Sequence, residues 1–408
     1  MIQDKIDHWF RHEYSRILSL FLSKYGADNI ELIEDAIQEA LYKAMRVWSY
    51  QKSPENPSGW IFKVAQNHLF DQFRKNQLNL EHPDEPNEEQ PYLENSGIKD
   101  ETLQLLFACC HPKLKSQESI ILCLKFATGF GLNEIARVLF SSYEATKKSF
   151  QRAKKHFKEN NLSLSIPNGD SLTLRLQRVF KVIFLMFTEG YRPSDGEKVL
   201  KDDVCFEALR LAMTLYQREH FHHSELYALI SLMCFKSSRI EARTHKDNEF
   251  ISLQDQDRSL WSESLIEKGN QFYSLALEKN NHSEYHFHAA VESQYVNVKS
   301  FEDTDWNGLL NIYNFWRGKG KNPALELNRI VVVLKALGPE QALKELEKNC
   351  REQNNHLYFV IKGEVLFNLN KFEQAIGCFE KAMTLSHNSA EKNLIKAKIE
   401  KAMHLNNK

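Results

Sequence analysis

Glu34-Asp35-Ala36-Ile37-Gln38-Glu39-Ala40 opens the stretch of this sequence that decides its fold. From there one amphipathic helix runs to about Trp48, breaks in the loop Gln51-Lys52-Ser53-Pro54-Glu55-Asn56-Pro57-Ser58-Gly59, and restarts at Trp60 as a second helix ending in Asp71-Gln72-Phe73-Arg74-Lys75. Ile33, Ile37, Ala40, Leu41, Ala44 and Trp48 recur at the spacing of one helix face, leaving Asp35, Gln38, Glu39 and Lys43 on the other. The apolar face must bury against neighbouring helices, and the polar face is left to solvent or to a partner.

Upstream, Trp9, Phe10, Tyr14, Ile17, Leu18, Phe21 and Leu22 follow a helical pattern that Gly26 stops, which predicts the first helix of a small bundle. Downstream the character changes. From Glu81 to Glu101 eight acidic residues face one basic residue, Lys99, with Pro83, Pro86 and Pro91 between them, the composition of an extended acidic linker. Apolar periodicity returns at Leu103 and passes through the Cys109-Cys110-His111-Pro112 turn. The segment Leu132 to Lys155 then reads as two short helices around a tight turn, with Ile135, Ala136, Leu139, Ala145, Phe150 and Ala153 facing inward, the pattern of a helix-turn-helix.

Charge sharpens that reading. The chain of 408 residues has a net charge of -1, so any affinity for nucleic acid has to be local. Between Leu132 and Lys158 it is local: Arg137, Lys147, Lys148, Arg152, Lys154, Lys155 and Lys158 stand against Glu134 and Glu144, a net +5. With 42% hydrophobic and 26% charged residues, no membrane-length apolar run and no secretory leader pattern at Met1 to Asp7, the expected compartment is the cytoplasm. Seven scattered cysteines agree with reduced thiols.

A second linker, with Pro167, Asn168 and Gly169, leads into a C-terminal half that reads as helix throughout: Leu172 to Phe187, Phe206 to Leu215, Ser224 to Phe235, Leu260 to Leu277, Tyr285 to Val298, Trp306 to Trp316, and two hairpins after Asn322. The hairpins repeat. Glu340-Gln341-Ala342-Leu343-Lys344-Glu345-Leu346-Glu347-Lys348 returns 33 residues later as Glu373-Gln374-Ala375-Ile376-Gly377-Cys378-Phe379-Glu380-Lys381, close to the tetratricopeptide period of about 34. Phe359, Gly363, Leu366, Ala375, Phe379 and Ala382 resemble the packing residues of that family, although the first copy keeps only its second-helix half and His387 replaces the usual proline. One repeat cannot bury its own apolar face, so the earlier helices are expected to stack against these.

The first 160 residues or so resemble the bacterial extracytoplasmic-function sigma factors. The likeness is carried by Glu34 to Ala40 with Asn56-Pro57-Ser58-Gly59-Trp60-Ile61, by Val64 to Arg74, and by Glu134-Ile135-Ala136 with Ala145 to Lys154. The remaining half looks like the long helical extension of one subgroup, through Thr188-Glu189-Gly190-Tyr191, Gln254-Asp255-Gln256-Asp257-Arg258-Ser259-Leu260-Trp261 and Asn322 to Val333. The resemblance implies two partners, RNA polymerase core through its beta-prime clamp helices and promoter DNA. Carried over by position, Asp35, Gln38 and Glu39 would face polymerase. Asn56, Trp60, Lys63, Asn67, His68, Arg74 and Lys75 would face the minus 10 element, where an unpaired base needs hydrogen-bonding edges and a stacking surface. Trp60 has a second reading as a core residue, the commoner fate of tryptophan. In the helix-turn-helix the minus 35 helix would start near Tyr143, with Glu144, Lys147, Lys148 and Gln151 as candidates for base edges and Arg152, Lys154 and Lys155 on phosphates, Lys147 and Lys148 suiting either class. Phe140 stands where a turn glycine is common, and a bulky residue there is expected to keep φ negative and so alter the turn. The acidic linker reads either as a stand-in for nucleic acid in the polymerase channel or as a soluble tether.

Other chemistries find little support. Cys109, Cys110 and His111, and His220, His222 and His223, lack the second ligand pair of a structural zinc site, and Asp255-Gln256-Asp257 lacks the glycine and closing glutamate of a calcium loop. No phosphate-cradling loop or nucleophile triad is present, so neither catalysis nor a cofactor is expected.

The sequence thus predicts an all-α protein: region 2 of a sigma factor over residues 1–78, an acidic linker over 79–101, a region 4 helix-turn-helix over 102–160, a linker over 161–171, and a helical extension over 172–408 with tetratricopeptide-like repeats near 322–386. The expected function is promoter-specific transcription initiation, with a fused extension expected to regulate the promoter-reading half by packing on it or by binding a peptide or protein signal. The alternative is a helix-turn-helix regulator on a helical-repeat scaffold that never contacts polymerase.

Overall fold

The computed structural model describes residues 2–50, 52–75, 100–160, 170–193, 200–244, 251–279, 282–319, 323–350, 356–386 and 389–406. The expected acidic segment from 79 to 99, the stretch 161–169, Asn322, His387 and the side chains of Trp9 and Phe10 lie outside the described residues. Among those described, eighteen α-helices and no β-strand form, the expected all-α class. They divide into two units, Met1–Glu189 and Gly190–Lys408.

The first unit holds α1 (Ile2–Tyr25), α2 (Ile30–Trp48), α3 (Pro57–Lys75), α4 (Glu101–Cys109), α5 (Ser116–Phe126), α6 (Leu132–Val138), α7 (Tyr143–Glu159) and nearly all of α8 (Asp170–Tyr191). Ile17, Leu18 and Phe21 of α1, Ile33, Ala36, Ile37 and Ala40 of α2, and Ile61, Ala65 and Leu69 of α3 are fully buried, so the predicted stripe on α2 is the seam of the bundle. Leu41 and Trp48, at the edge of that stripe, are half-buried.

The break before α3 follows from its residues. α3 begins at Pro57, three residues ahead of the Trp60 expected from the sequence, because proline suits the first helical position and Asn56 Oδ1 accepts from Gly59 N–H at 2.9 Å. A Cβ at Gly59 would stand 2.8 Å from Asn56 Nδ2, so the cap requires glycine there.

α6 and α7 form the predicted helix-turn-helix over Ile135, Ala136, Phe150, Ala153 and Phe157, all buried. Two details differ from the expectation. Ala145 is exposed and Thr146 takes the inward place, because Ser142 caps α7, its Oγ accepting from Ala145 N–H at 3.2 Å, and thereby sets the phase of the helix. Phe140 does not keep a negative φ. It stands at +50°, because α6 closes with Ser141 N–H donating to Ala136 O and Phe140 N–H to Arg137 O, a closure that places its penultimate member in the left-handed region.

α8, where the extension was expected to begin, docks on the helix-turn-helix half. Arg175 Nη1 donates to Phe107 O at 3.1 Å, and Arg178 Nη1 donates to His111 O, Leu114 O and Ser119 Oγ at 2.9–3.0 Å. Two guanidinium groups thus occupy carbonyls at the C-terminal end of α4 and in the turn after it, where the helix dipole favours cations.

In the second unit come α9 (Asp202–Tyr216), α10 (Ser224–Ser237), α11 (Glu263–Leu277), α12 (Glu284–Val296), α13 (Trp306–Arg317), α14 (Pro323–Leu337), α15 (Pro339–Asn349), α16 (His356–Asn368), α17 (Phe372–Leu385) and α18 (Ser389–Asn406). α10 is buried nearly all round through Leu226, Leu229, Ile230, Met233 and Phe235, and α9, α11 and α12 surround it. α11 starts three residues later than predicted. Asp257 accepts from Ser259 N–H and Oγ–H, tightening Arg258–Leu260 into a 3-10 turn that exposes Leu260 and buries Trp261.

The α14/α15 and α16/α17 hairpins are the repeats seen in the sequence. Ala342 and Leu346 of one, and Ala375 and Phe379 of the other, fill corresponding buried places. The first helix of the first copy, unmatched in sequence, is present as α14, with fully buried Ile330 where the second copy has Gly363. At Gly363 a Cβ would lie 2.5 Å from the Phe379 ring, so this glycine sets how closely α16 and α17 approach. Consecutive helices packed in this way form a tetratricopeptide-like array.

Candidate polymerase and nucleic-acid interface

α2 presents Asp35, Gln38 and Glu39 to solvent, one helical turn apart, together with Lys43. Their neighbour Glu34 behaves differently. It is 5% exposed, accepts from Tyr14 Oη–H at 3.2 Å, and holds Lys154 Nζ of α7 at 2.8 Å. Burial, and then the charge of Glu34, push the Tyr14 phenol well above its usual pKa. Lys158 reaches Glu31 at 3.5 Å, a more exposed pair. Sequence reading missed this clamp. The signal was there: Glu34 falls on the apolar stripe, four residues after Ile30 and three before Ile37, and a carboxylate there needs a cation.

On α3, Lys63, Asn67 and Arg74 are exposed and share a face with half-buried Trp60. Lys75 is exposed at its end. His68 is half-buried and hydrogen-bonds Gln72 Nε2 at 2.9 Å. Trp60 meets neither expectation fully: its ring leans on Trp48, centroids 5.5 Å apart at 53°. Asn56 is exposed, yet its side-chain oxygen is committed to the α3 cap.

α7 offers its outer face. Glu144, Lys147, Lys148, Gln151, Arg152 and Lys155 are exposed, and Tyr143 at the start of the helix is 42% exposed with Lys147 Nζ 6.0 Å from its ring. Arg152 donates to Ser149 Oγ at 3.2 Å, and Lys155 stands 3.6 Å from Glu159. Lys154 is turned away, its ammonium 5.1 Å from the Phe150 ring as well as on Glu34. Seven of the eight side chains expected at minus 35 therefore lie on one exposed surface, and Lys154 does not join them in this conformation.

No group of three or more histidine, cysteine, aspartate or glutamate side chains is disposed to hold a metal among the described residues. Cys110 Sγ and Cys123 Sγ lie 3.5 Å apart in the interior, and burial raises the Cys123 thiol well above its usual pKa. No described helix is long and apolar enough to cross a membrane.

An acidic helix face, a capped helix bearing Trp60, Lys63, Asn67 and Arg74, and a separate basic helix-turn-helix make a distinctive combination. Residues 10–78 match sigma-70 region 2. The matched segment comprises α2, α3 and most of α1, and the match supports a role in transcription initiation, with binding to RNA polymerase core and to promoter DNA. Sigma-70 proteins are transcription factors without catalytic activity. Residues 175–277 match a family of unknown function, DUF6596, so this second match begins on α8, inside the unit that carries region 2. Along its length the chain is 28% identical over 382 residues to an uncharacterized protein of Rhizobium meliloti (strain 1021), covering 91% of this chain and 90% of that one. Among solved structures, a tetratricopeptide repeat protein from Parabacteroides merdae aligns with a TM-score of 0.37 at 14% identity, covering 70% of this chain and 91% of that one.

Proposed function

We propose that this chain is a sigma factor of the extracytoplasmic-function type, which binds polymerase core and directs it to specific promoters. The observation that carries the reading is the conjunction, inside a region 2 match, of the exposed Asp35, Gln38 and Glu39 with the polar stripe of α3. In this scheme residues 1–78 bind core and melt minus 10. Residues 102–160 read minus 35 through the outer face of α7, where Lys147, Lys148 and Gln151 meet bases and Arg152 and Lys155 meet phosphates. Asn56 serves as the cap that aims α3 rather than as a base reader, because its acceptor is already used.

Lys154 and Lys158 tie α7 to α2, so reading both promoter elements requires these pairs to part. The extension from 172 is the regulatory part. Its first helix already grips the α4–α5 turn through Arg175 and Arg178, and its repeats near 322–386 suit a peptide or protein signal. Transcription by purified core polymerase over a genomic fragment library tests the reading: promoter-specific transcripts are expected on adding the protein, and Asp35→Lys with Glu39→Lys should abolish core binding without unfolding it. Sequence-specific DNA binding with no transcript and no core complex would instead establish the ordinary helix-turn-helix regulator.

A further inference from the structure

The promoter-reading scheme gives no role to two sequence segments, the Gly190-Tyr191 pair that ends α8 and Gln254 to Trp261. The structure brings both to one place in the second unit. Arg243 Cζ lies 3.7 Å and Lys236 Nζ 4.7 Å from the Tyr191 ring centroid. Lys236 Nζ is 2.7 Å from Glu292 Oε1, and Arg239 pairs with the other oxygen of the same carboxylate. Trp261 carries Arg258 Cζ at 4.3 Å and Arg239 Cζ at 5.8 Å from its ring centroid. Arg258 spends Nη1 on Tyr295 O and Val298 O at the end of α12.

Lys236 and Arg239 therefore hold the buried carboxylate of Glu292, Arg243 and Arg258 stand over the Tyr191 and Trp261 rings, and the exposed Glu302 and Asp303 act on Arg258. The field there is positive. Burial works against the charged form of Glu292, yet Arg239 and Lys236 bring its pKa down to about 2. Burial works against the Tyr191 phenolate too, yet Arg239, Arg243 and Lys236 hold that phenol below its usual pKa.

Arg239 Nε, Arg258 Nη2 and Trp261 Nε1 are among the donors of this field that find no acceptor among the described residues. Arg239 is 4% and Trp261 7% exposed, so bulk solvent does not satisfy them. A water molecule is a poor match, since it must also place two protons of its own beside cations and donors. A group that only accepts and carries negative charge answers both needs.

We propose that Arg239, Arg258 and Trp261 form a binding site in the C-terminal unit for one small oxyanion group, a phosphate or a carboxylate, entering beside the half-buried Arg258. The site rests on the second unit alone and stands whether or not the first unit acts as a sigma factor. Glu292 and the α12 carbonyls hold the guanidinium groups in place, and the indole N–H supplies an uncharged donor that favours a directed oxygen over a simple halide.

The test is calorimetric titration of the full-length protein with inorganic phosphate and, separately, with acetate, at constant ionic strength set by chloride. One saturable site per chain is expected for one or both probes. Saturation by phosphate alone assigns the site to phosphorylated ligands, and saturation by acetate alone to carboxylates. Trp261→Phe keeps the ring and deletes the N–H, and should weaken binding about tenfold or more. Arg258→Lys keeps the charge and removes the unpaired Nη2, serving the same purpose should Trp261→Phe not fold. Lys344→Ala, on the exposed face of α15, should bind as the parent does. Saturation by neither anion, or unchanged affinity in both site variants, overturns the proposal.

Discussion

Replacing Phe140 by glycine should stabilise the helix-turn-helix unit, an unusual outcome for the loss of an aromatic residue. Phe140 holds φ at +50° as the penultimate member of the α6 closure, and its side chain is 99% exposed. A left-handed backbone costs a residue with a Cβ about 1–2 kcal/mol. Glycine removes that cost and returns about 0.5–1 kcal/mol of it through the greater freedom of the unfolded chain. Packing contributes almost nothing, because the ring touches solvent on nearly every side. The net gain is about 0.5–1 kcal/mol, or roughly 2 °C in the midpoint of a unit of this size. Phe140→Ala keeps the strained backbone and should leave the midpoint nearly unchanged; Phe140→Val, β-branched, should lower it. Scanning calorimetry that resolves the first unit's transition measures all three. A lower midpoint for Phe140→Gly, matched by an equal fall for Phe140→Ala, would show that the ring makes contacts worth more than the strain, and the reasoning would be wrong.

Further outcomes follow from other parts of the chain. Lys147→Ala and Lys148→Ala should each cost about 1–3 kcal/mol of promoter affinity where the lysine meets a base, read as lost minus 35 discrimination; uniform loss across sequences, with a shallower salt dependence, would place them on phosphates. Gly363→Ala should destabilise the C-terminal unit by about 1–3 kcal/mol in urea unfolding, since the new methyl meets the Phe379 ring at 2.5 Å, and Phe379→Leu should recover part of the loss. Burial, with Arg175, Lys113 and Arg178 nearby, lowers the His111 pKa from 6.5 to about 4. The folded chain therefore keeps His111 neutral while the unfolded chain protonates it, so its contribution is complete above pH 6.5 and shrinks as pH falls toward 4. His111→Gln should flatten the stability profile of the first unit in that window and leave it unchanged above pH 7.

The parts of the fold legible in the sequence are those whose cause is local. Pro54 and Pro57 announce the break between α2 and α3, although α3 starts at Pro57 and not at Trp60, the stripe through Ile33, Ile37 and Ala40 announces the buried side of α2, and a 33-residue echo announces the last two hairpins. Phase errors came from caps: Ser142 sets where α7 begins and so exchanges Ala145 for Thr146, while Asp257 delays α11 and turns Trp261 inward. At Phe140 steric preference alone points to a negative φ, whereas the hydrogen-bond closure of α6 overrides it. The site was legible as surfaces but not as pairings. Periodicity places Asp35 and Lys147 outside; it says nothing of Lys154 crossing to Glu34, 120 residues away, or of Arg175 reaching Phe107.

That last contact bears on how such a protein can be cut and rejoined. The boundary suggested by composition, near residue 172, falls just ahead of the two arginines that close the end of α4 and the turn after it. A truncation made there would bare the carbonyls of Phe107, His111 and Leu114, and loss of activity would then report a damaged helix-turn-helix half instead of a missing extension. A chimera joined there would import a stranger's arginines. Joints placed after Glu189 leave Arg175 and Arg178 with the end of α4 and Tyr191 with the Arg243 and Lys236 that pack on its ring, so the modular seam of this chain lies nearly twenty residues beyond its compositional one.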